Sequence, residues 1–293
     1  MRKASIILFL SHMILFLILL HNPSIGQGLE FDDKAYYEQA LDYDILRGSK
    51  QSKLPPSVSL KAYAPTPKDQ GSYNNCVAWA SAYAARGIME AYKRKVTNKE
   101  IIQRNAFAPG FIYKLIAPTN SCYEPTSIEL ALKVMQEKGA AKYTDVNQVC
   151  PQSLSRKAYA SASRFKIKDY KRLFYYKEPA TEKIQSIKQA LSEAKPVIVG
   201  MRCTPSFEHA DGYDLWKPKE SKNTHNFFGH AMCILAYNDS KYGGAFQIMN
   251  SWGTRWGNKG FIWVRYQDFT NFVKYAFVMY PTESTKTVAS RNK

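Results

Sequence analysis

Three short segments that lie far apart in the chain carry side chains that together could attack a carbonyl group. Gln70 and Cys76 belong to the first segment, His230 to the second and Asn250 to the third. A thiol can act as the nucleophile, an imidazole as its base, and amide N–H groups as donors to the oxyanion that forms. The residue types therefore predict acyl transfer through a cysteine thioester.

Cys76 is predicted to open a helix. Residues 71–75 have the composition of a turn, and residues 76–92 are rich in alanine and carry apolar faces. Asn74 or Asn75 could cap the N-terminus of this helix. The partial positive charge at a helix N-terminus favours thiolate over thiol, so the position suits a nucleophile.

The base and the residue that would orient it are predicted beside strands. His230 lies about 150 residues after Cys76 and directly precedes an apolar run at 231–237. Asn250 follows a second run at 245–249, and its amide oxygen could fix the tautomer of the imidazole. Trp252 could keep water from that bond. A histidine with ordinary polar hydrogen bonds would explain His230 alone, and this is our interpretation of His209 and His225. Ordinary packing would explain Trp252 alone. The combination of these residues favours a functional site.

The elements that must position these residues change along the chain from helices to strands. Helices are predicted at 76–92, 125–138 and 181–194, and strands at 197–201, 231–237, 245–249, 260–264 and 275–278. A helical half that precedes a β half indicates an α+β chain with two lobes. The cleft between two lobes is a natural place for a site.

The N-terminal region has the composition of a targeting signal. A positive start, an apolar run at 6–20 and small residues at 24–26 predict a signal peptide over residues 1–26, with an uncleaved anchor as the alternative. The protein is therefore expected to be secreted or periplasmic. Residues 27–53 are locally acidic, and we interpret them as a short N-terminal segment or pro-segment, or else as a solvated helical lead-in. The main domain is predicted at 54–280 and a tail at 281–293.

The charge is strongly positive, with 41 Lys and Arg against 24 Asp and Glu, a net charge of +17. The basic residues are scattered and accompany no recognisable nucleic-acid module, which favours a solvated basic surface over nucleic-acid binding. The electrostatic field of this positive charge is compatible with loose attraction to an anionic envelope surface. No HExxH or paired CxxC pattern is present, so we predict no metal and no cofactor, and we expect a monomer.

The three segments resemble those of papain-like cysteine peptidases (peptidase family C1), in an exported form of the bacterial type. The residues that carry the resemblance are Gln70-Gly71-Ser72 with Cys76, Gly229-His230-Ala231, and Asn250-Ser251-Trp252-Gly253-Thr254 with Trp256-Gly257 and Gly260. The resemblance implies a papain-like two-lobe fold, with a helical left lobe, an antiparallel β-barrel-like right lobe and the active site between them. It also implies an endopeptidase: Cys76 is the nucleophile, His230 the base and later acid, Asn250 the orienter and Gln70 the oxyanion donor.

The resemblance further assigns substrate binding to Gly229, Trp252, Tyr123 and Thr126. The chain departs from the family pattern at Tyr73, where a cysteine is common, at Val77, where a tryptophan is common, and at 124–126, where a glycine pair is common. We therefore expect substrate docking at 124–126 to differ. Because Tyr73 removes the usual partner of a cysteine near Cys122, we expect a Cys122–Cys150 disulfide, with Cys203 and Cys233 reduced and buried. Residues 27–53 are also shorter than the usual inhibitory propeptide.

Two other functions remain open from the sequence. A transpeptidase or amidase that acts on envelope material would use the same thioester and differ only in the acceptor. A non-catalytic papain-like binding protein would keep the shell without the chemistry. The presence of all four site residues argues against the second alternative.

Overall fold

The computed structural model describes residues 28–31, 33, 41–42, 54–117 and 119–282. The predicted signal peptide, most of the segment at 27–53 and nearly all of the tail lie outside the described residues. No helix in the described part of the chain is long and apolar enough to cross a membrane.

The longest helical stretch, α1, opens at Cys76 and runs over residues 76–93. It consists of Cys76–Ala78, a π-helical stretch Trp79–Arg86 and Gly87–Lys93. The other helices are α2 Lys99–Arg104, α3 Pro109–Ile116, α4 Ile128–Glu137, α5 Arg156–Ala162, α6 Ala180–Ser192, α7 Pro205–Glu208 and α8 Tyr266–Phe272. Helix α1 packs against α3 and α4, so the helical part of the chain is built around it.

Helices α4 and α6 match two predicted helices but have different ends. Helix α4 starts at Ile128 rather than at residue 125, because the Ser127 side chain accepts a hydrogen bond from the N–H of Leu130 and caps the helix there. Residue 126 remains extended and pairs with another segment. Helix α6 ends at Ser192, two residues before Ala194 takes a left-handed conformation with φ 57°.

Most strands lie in the second half of the chain. Their bounds are β1 Leu41–Asp42, β2 Ser57–Ser59, β3 Ile167–Arg172, β4 Val197–Cys203, β5 Leu215–Trp216, β6 Phe228–Asn238, β7 Ala245–Met249, β8 Phe261–Arg265 and β9 Val273–Pro281. Within the described residues they form one sheet in the order β1-β3-β9-β4-β6-β7-β8-β5, with β2 also paired to β6. The β3-β9-β4-β6-β7-β8 pairings are antiparallel; β1 and β5 are short parallel additions.

The sheet meets the helical part at its central strands. Helix α1 packs on β4 and β6, and α6 packs on the same two strands. Both strands are buried along most of their length, which explains why they appear in the sequence as continuous apolar runs rather than as alternating patterns. The start of α1 and the start of β6 therefore face one another where helices and sheet join.

A disulfide joins Cys122 to Cys150, the pair that the sequence suggested, with 5.8 Å between the Cα atoms. Cys76, Cys203 and Cys233 are free and buried. The linked loops support the turn before α1, since the N–H of Asn74 donates to the carbonyl of Cys122 (3.0 Å) and the side chain of Asn75 donates to the carbonyl of Val149 (3.1 Å). The disulfide thus stabilises the turn that places Cys76.

Removing this disulfide should lower the free energy of unfolding by about 3–4 kcal/mol, because the bond closes a loop with a sequence separation of 28. Urea denaturation of the Cys122→Ala/Cys150→Ala chain measures this loss. The Cys150→Ala chain serves as a control, since either substitution breaks the same bond and should lower the midpoint about equally. An unchanged midpoint in both variants would contradict the expectation.

Candidate active site

Cys76 is the first residue of α1 and is completely buried. Its Sγ accepts a hydrogen bond from the N–H of Ala231 at 3.4 Å, and the N–H groups of Gly28 and Val77 also donate to it. Asn75 is the N-cap residue, as the sequence allowed, but its side chain makes no capping bond because it is used to hold Val149. The helix N-terminus and the start of β6 therefore converge on the sulfur.

His230 and Asn250 form a buried pair beside this sulfur. The Nε2 atom of His230 lies 2.7 Å from Oδ1 of Asn250. Because an amide oxygen only accepts, Nε2 carries the proton and Nδ1 is the basic nitrogen. Nδ1 has no hydrogen-bond partner among the described residues, and the next residue, Ala231, donates its N–H to Cys76. The geometry leaves one imidazole nitrogen available to take a proton.

Burial keeps both reactive groups uncharged in this state. It raises the pKa of the Cys76 thiol to about 11, although the N–H donors from Ala231 and Gly28 partly offset the effect. Burial also lowers the pKa of His230 to about 4, although the hydrogen bond that its Nε2 donates to Asn250 favours the imidazolium. Near neutral pH the pair is therefore a thiol and a neutral imidazole, and an ion pair requires that water or a substrate reach the site.

Trp252 covers the imidazole, as the sequence suggested. Its ring stacks on His230 with 4.4 Å between centroids and 26° between planes. Trp252 is itself held edge-on by Trp256 at 5.3 Å, and the indole N–H of Trp256 donates to the carbonyl of Phe207. This aromatic group excludes water from the His230–Asn250 bond and fixes the plane of the ring.

Gln70 lies within the same hydrogen-bonded network, held mainly by Ser251. The hydroxyl of Ser251 donates to Oε1 of Gln70 at 2.6 Å, and the N–H of Gln70 donates to the carbonyl of Ser251 at 2.8 Å. The side-chain amide nitrogen of Gln70, Nε2, donates to the carbonyl of Tyr73. Ser251 was not singled out in the sequence, although it stands between Asn250 and Trp252 in the third segment.

An extended piece of the N-terminal region, Gly28 to Phe31 followed by Asp33, lies in the cleft; we call it the cleft segment. Thr126 donates its N–H to the carbonyl of Gly28 (2.9 Å) and accepts from the N–H of Glu30 (3.0 Å). Gly229 accepts from the N–H of Leu29 at 3.3 Å. Two predicted substrate-binding residues, Thr126 and Gly229, thus bind a peptide backbone here.

The backbone pairing bears on one expectation about substrate, which stays a prediction. We expected docking at 124–126 to differ from the family pattern because a glycine pair is missing. Thr126 nevertheless pairs through both backbone groups, since a side chain at this position does not prevent either bond. Tyr123, the fourth predicted residue, is 60% exposed, and its ring lies 6.0 Å from that of Tyr73 rather than on the cleft segment.

Close approach explains two glycines around the segment. A Cβ on Gly28 would lie 2.1 Å from the backbone oxygen of Asn74, so only glycine can pass this close to the turn before Cys76. A Cβ on Gly200 would lie 2.7 Å from Cδ2 of Leu29, whose side chain is seated there against Tyr275 and Ile128. A glycine inside the apolar run 197–201 was a readable signal of close approach.

No group of three or more His, Cys, Asp or Glu in the described part of the chain is arranged to hold a metal ion. His209 and His225 are not joined to the Cys76 network by any hydrogen bond between described residues. The site is therefore composed of a thiol, an imidazole, amides and an aromatic cover. Such a set can form and break an acyl bond.

Comparison with known proteins gives a consistent result. The model of the family described as papain family cysteine protease matches residues 60–280. Cathepsin K of Gallus gallus is 26% identical over 222 residues, which are 72% of this chain and 59% of the relative. Peptidase 1 of Psoroptes ovis is 24% identical, with 78% of this chain and 68% of the relative covered. The chain spans about three-fifths of the length of the cathepsin K relatives that it matches.

Solved structures show the same fold. Xylellain, a cysteine protease from Xylella fastidiosa, superposes with a TM-score of 0.71 at 21% identity, over 89% of this chain and 97% of that one. Digestive procathepsin L 3 of Tenebrio molitor gives a TM-score of 0.63 at 16% identity, over 88% and 76%. The predicted α+β class with two lobes and a cleft between them is confirmed.

Proposed function

This chain belongs to the papain family of cysteine proteases, and we propose that it is an endopeptidase that cleaves peptide bonds through a thioester on Cys76. The observation that supports the proposal is the buried contact of three elements: Cys76 at the start of α1, Ala231 in β6 bonded to its sulfur, and His230 bonded to Asn250. Peptide or protein is the substrate class that this backbone-pairing cleft suits.

Catalysis would start when Cys76 transfers its proton to Nδ1 of His230 and the sulfur attacks the carbonyl carbon. The backbone N–H of Cys76 and the side-chain amide of Gln70 would donate to the oxyanion. His230 then gives the proton to the leaving nitrogen, the C–N bond breaks, and a thioester remains. Water, deprotonated by His230, attacks the thioester, so the acid product leaves and the thiol is restored.

Residues 27–53 are proposed to be a pro-segment that blocks this reaction. Support comes from the cleft segment, since Gly28 donates its N–H to Cys76 and Leu29 is only 6% exposed in the cleft. A substrate would need the same backbone partners on Thr126 and Gly229. The conformation described here then corresponds to a latent form.

Export, a monomeric state and loose attraction to anionic surfaces complete the proposal. The Cys122–Cys150 disulfide supports export, because such bonds persist in oxidising compartments. The apolar run at 6–20 would serve as the signal. The net charge of +17 supports the attraction, which would weaken as salt is added.

The proposal is tested with a peptide library and an epoxide or iodoacetamide probe. The unmodified chain and the Leu29→Glu chain, in which the cleft segment should be displaced, are assayed side by side. We expect cleavage by the displaced form, modification mapped to Cys76, and loss of both in Cys76→Ala, while Cys233→Ala retains both. Cleavage that persists in Cys76→Ala, or its absence from both starting chains, would refute the proposal; transfer to an added amine alone would indicate a transpeptidase.

A further inference from the structure

The cleft segment is anchored at two places. The first is the buried side chain of Leu29, and the second lies beyond it, at Phe31 and Asp33. The ring of Phe31 packs against Phe227, with 6.4 Å between centroids, and edge-on against Tyr275 at 5.7 Å. The Nζ atom of Lys274 lies 4.7 Å from the centre of the same ring. Phe31 is thus held by two aromatic rings and a cation.

Asp33 is bound by two of the same residues. The hydroxyl of Tyr275 donates to Oδ1 of Asp33 at 2.5 Å, and Nζ of Lys274 lies 3.0 Å from this oxygen. Partial burial alone would raise the pKa of Asp33, but the hydrogen bonds from Tyr275 and Lys274 and the charge of Lys274 outweigh it and lower the pKa. The carboxylate form is therefore the one that is bound.

The charge of Lys274 fits an acidic ligand. Its side chain is only 16% exposed and lies 5.5 Å from the ring centres of Tyr176 and Tyr275. An ammonium group that is largely removed from water is stabilised by a nearby carboxylate, and aromatic faces add to this attraction. Phe31 and Asp33 both contact Tyr275 and Lys274, so the same two residues of the sheet bind the ring and the carboxylate.

These anchors are separate from the catalytic elements. Lys274 and Tyr275 belong to β9, and Phe227 precedes β6. Cys76 opens α1, and Asn250 follows β7. Binding at the anchors can therefore be altered without changing a residue that we place in the reaction.

We propose that Phe227, Lys274 and Tyr275 form a peptide-docking site for an aromatic residue that is followed two positions later by a carboxylate. The chain's own Phe31 and Asp33 fill this site in the present state and help to retain the cleft segment. Once that segment has left, the site takes peptides of the same pattern and places them along the cleft. Only this last role rests on the proposed peptidase function.

The test measures binding without catalysis. The full chain carries Cys76→Ala, to prevent turnover, and Leu29→Glu, Phe31→Ala and Asp33→Ala, to empty the cleft and the anchors. A fluorescein-labelled peptide with the sequence of residues 28–33 is titrated up to millimolar concentration, and binding is followed by fluorescence anisotropy. We expect saturable binding that weakens about 10-fold when the peptide phenylalanine becomes alanine or its last aspartate becomes asparagine, because a charge-assisted bond or a ring contact is lost.

Matched substitutions in the chain assign the effect to the site. Tyr275→Phe removes only the hydroxyl and should also weaken binding about 10-fold, with little further loss when it is combined with the asparagine peptide. Lys157→Gln removes a positive charge away from the site, at a lysine that pairs with Asp145 and whose side chain is 80% exposed, and should leave peptide binding unchanged. Thermal unfolding of each variant confirms that it is folded.

Three results would overturn the inference: no binding up to millimolar peptide, equal binding of all peptides, or equal binding of a scrambled peptide of the same composition. The last would indicate general attraction to a basic surface. None of these results depends on hydrolysis. Selective binding by the Cys76→Ala chain, together with no cleavage of the library by the chain that retains Cys76, would instead refute the proposed peptidase function and leave the docking site intact.

Discussion

Replacing Leu29 with glutamate is expected to raise the rate at which iodoacetamide alkylates Cys76 by about 100-fold, because the carboxylate would be buried without a partner. Leu29 is 6% exposed and rests on Gly200, Ile128 and Tyr275. Since Gly28 donates to the sulfur and Leu29 to Gly229, displacing this residue opens the cysteine to solvent. Mass spectrometry of quenched samples, with alkylation mapped to Cys76, measures the rate.

Variants at neighbouring residues test whether the higher alkylation rate of Cys76 comes from displacing the buried side chain of Leu29. Glu30→Gln changes the adjacent, exposed side chain and should leave the rate unchanged. Gly200→Ala should raise the rate in part, because its Cβ would lie 2.7 Å from Cδ2 of Leu29 and 3.1 Å from Cδ2 of Tyr275, so the end of the Leu29 side chain must shift. Equal rates in the Leu29→Glu and unmodified chains would show that the cleft segment does not shield the sulfur.

The pH dependence of alkylation should also differ between the two forms. In the unmodified chain burial raises the pKa of Cys76 to about 11, so the reactive thiolate fraction grows about tenfold per pH unit up to that pH. In the Leu29→Glu chain the sulfur regains water and keeps the helix N-terminus, so its pKa falls and the rate should level off at lower pH.

Replacing His230 with alanine should lower kcat for peptide hydrolysis by about 10³-fold in the Leu29→Glu background, where substrate can enter. The substitution removes the acceptor of the Cys76 proton, the donor to the leaving nitrogen and the base that activates water. Steady-state kinetics on the preferred library peptide give kcat and KM separately. The loss should appear in kcat, because the backbone partners Thr126 and Gly229 remain.

Asn250→Ala provides the comparison for this loss. It leaves the imidazole in place and removes only the acceptor 2.7 Å from Nε2, so the ring loses its fixed tautomer but can still exchange a proton. A smaller decrease than that of His230→Ala is therefore expected. If His230→Ala retained a tenth of the activity, another group would have to act as the base.

The proposed catalytic residues could be singled out in the sequence because each has a local signal. Cys76 follows a turn and opens an alanine-rich helix, and His230 and Asn250 lie at the ends of apolar runs that became β6 and β7. The resemblance to a known family then connected the three segments. What each residue does in catalysis remains a prediction that the substitutions above address.

Other elements were missed because their patterns are weak or interrupted. Strand β3 has a register shift between Ile167 and Asp169, so its buried residues do not alternate regularly. Its buried Arg172 pairs with Asp42, a contact between residues far apart in sequence. Helices α2 and α5 are under two turns long and show no periodicity, although Asn98 and Ser155 cap them through their side chains.

The position of the cleft segment could not be predicted from local sequence. Gly28 and Leu29 lie far along the chain from Thr126 and Gly229, and nothing in their composition specifies these partners. The signals that can be read in this region are its acidic residues and the boundary at the prolines that follow. Gly200 is a glycine inside an apolar run and therefore indicates close approach, but the sequence does not specify that Leu29 is the neighbour.

The N–H of Gly28 that points at the sulfur has a kinetic consequence. A thiolate attacks a carbonyl carbon, but the group of the cleft segment that interacts with the sulfur here is the N–H of Gly28. If the chain is the proposed peptidase, we expect that a molecule in this arrangement does not cut its own N-terminal region and that the first cut comes from a second molecule. Conversion would then be autocatalytic, with a lag that shortens as the protein concentration rises, and dilute protein would remain dormant.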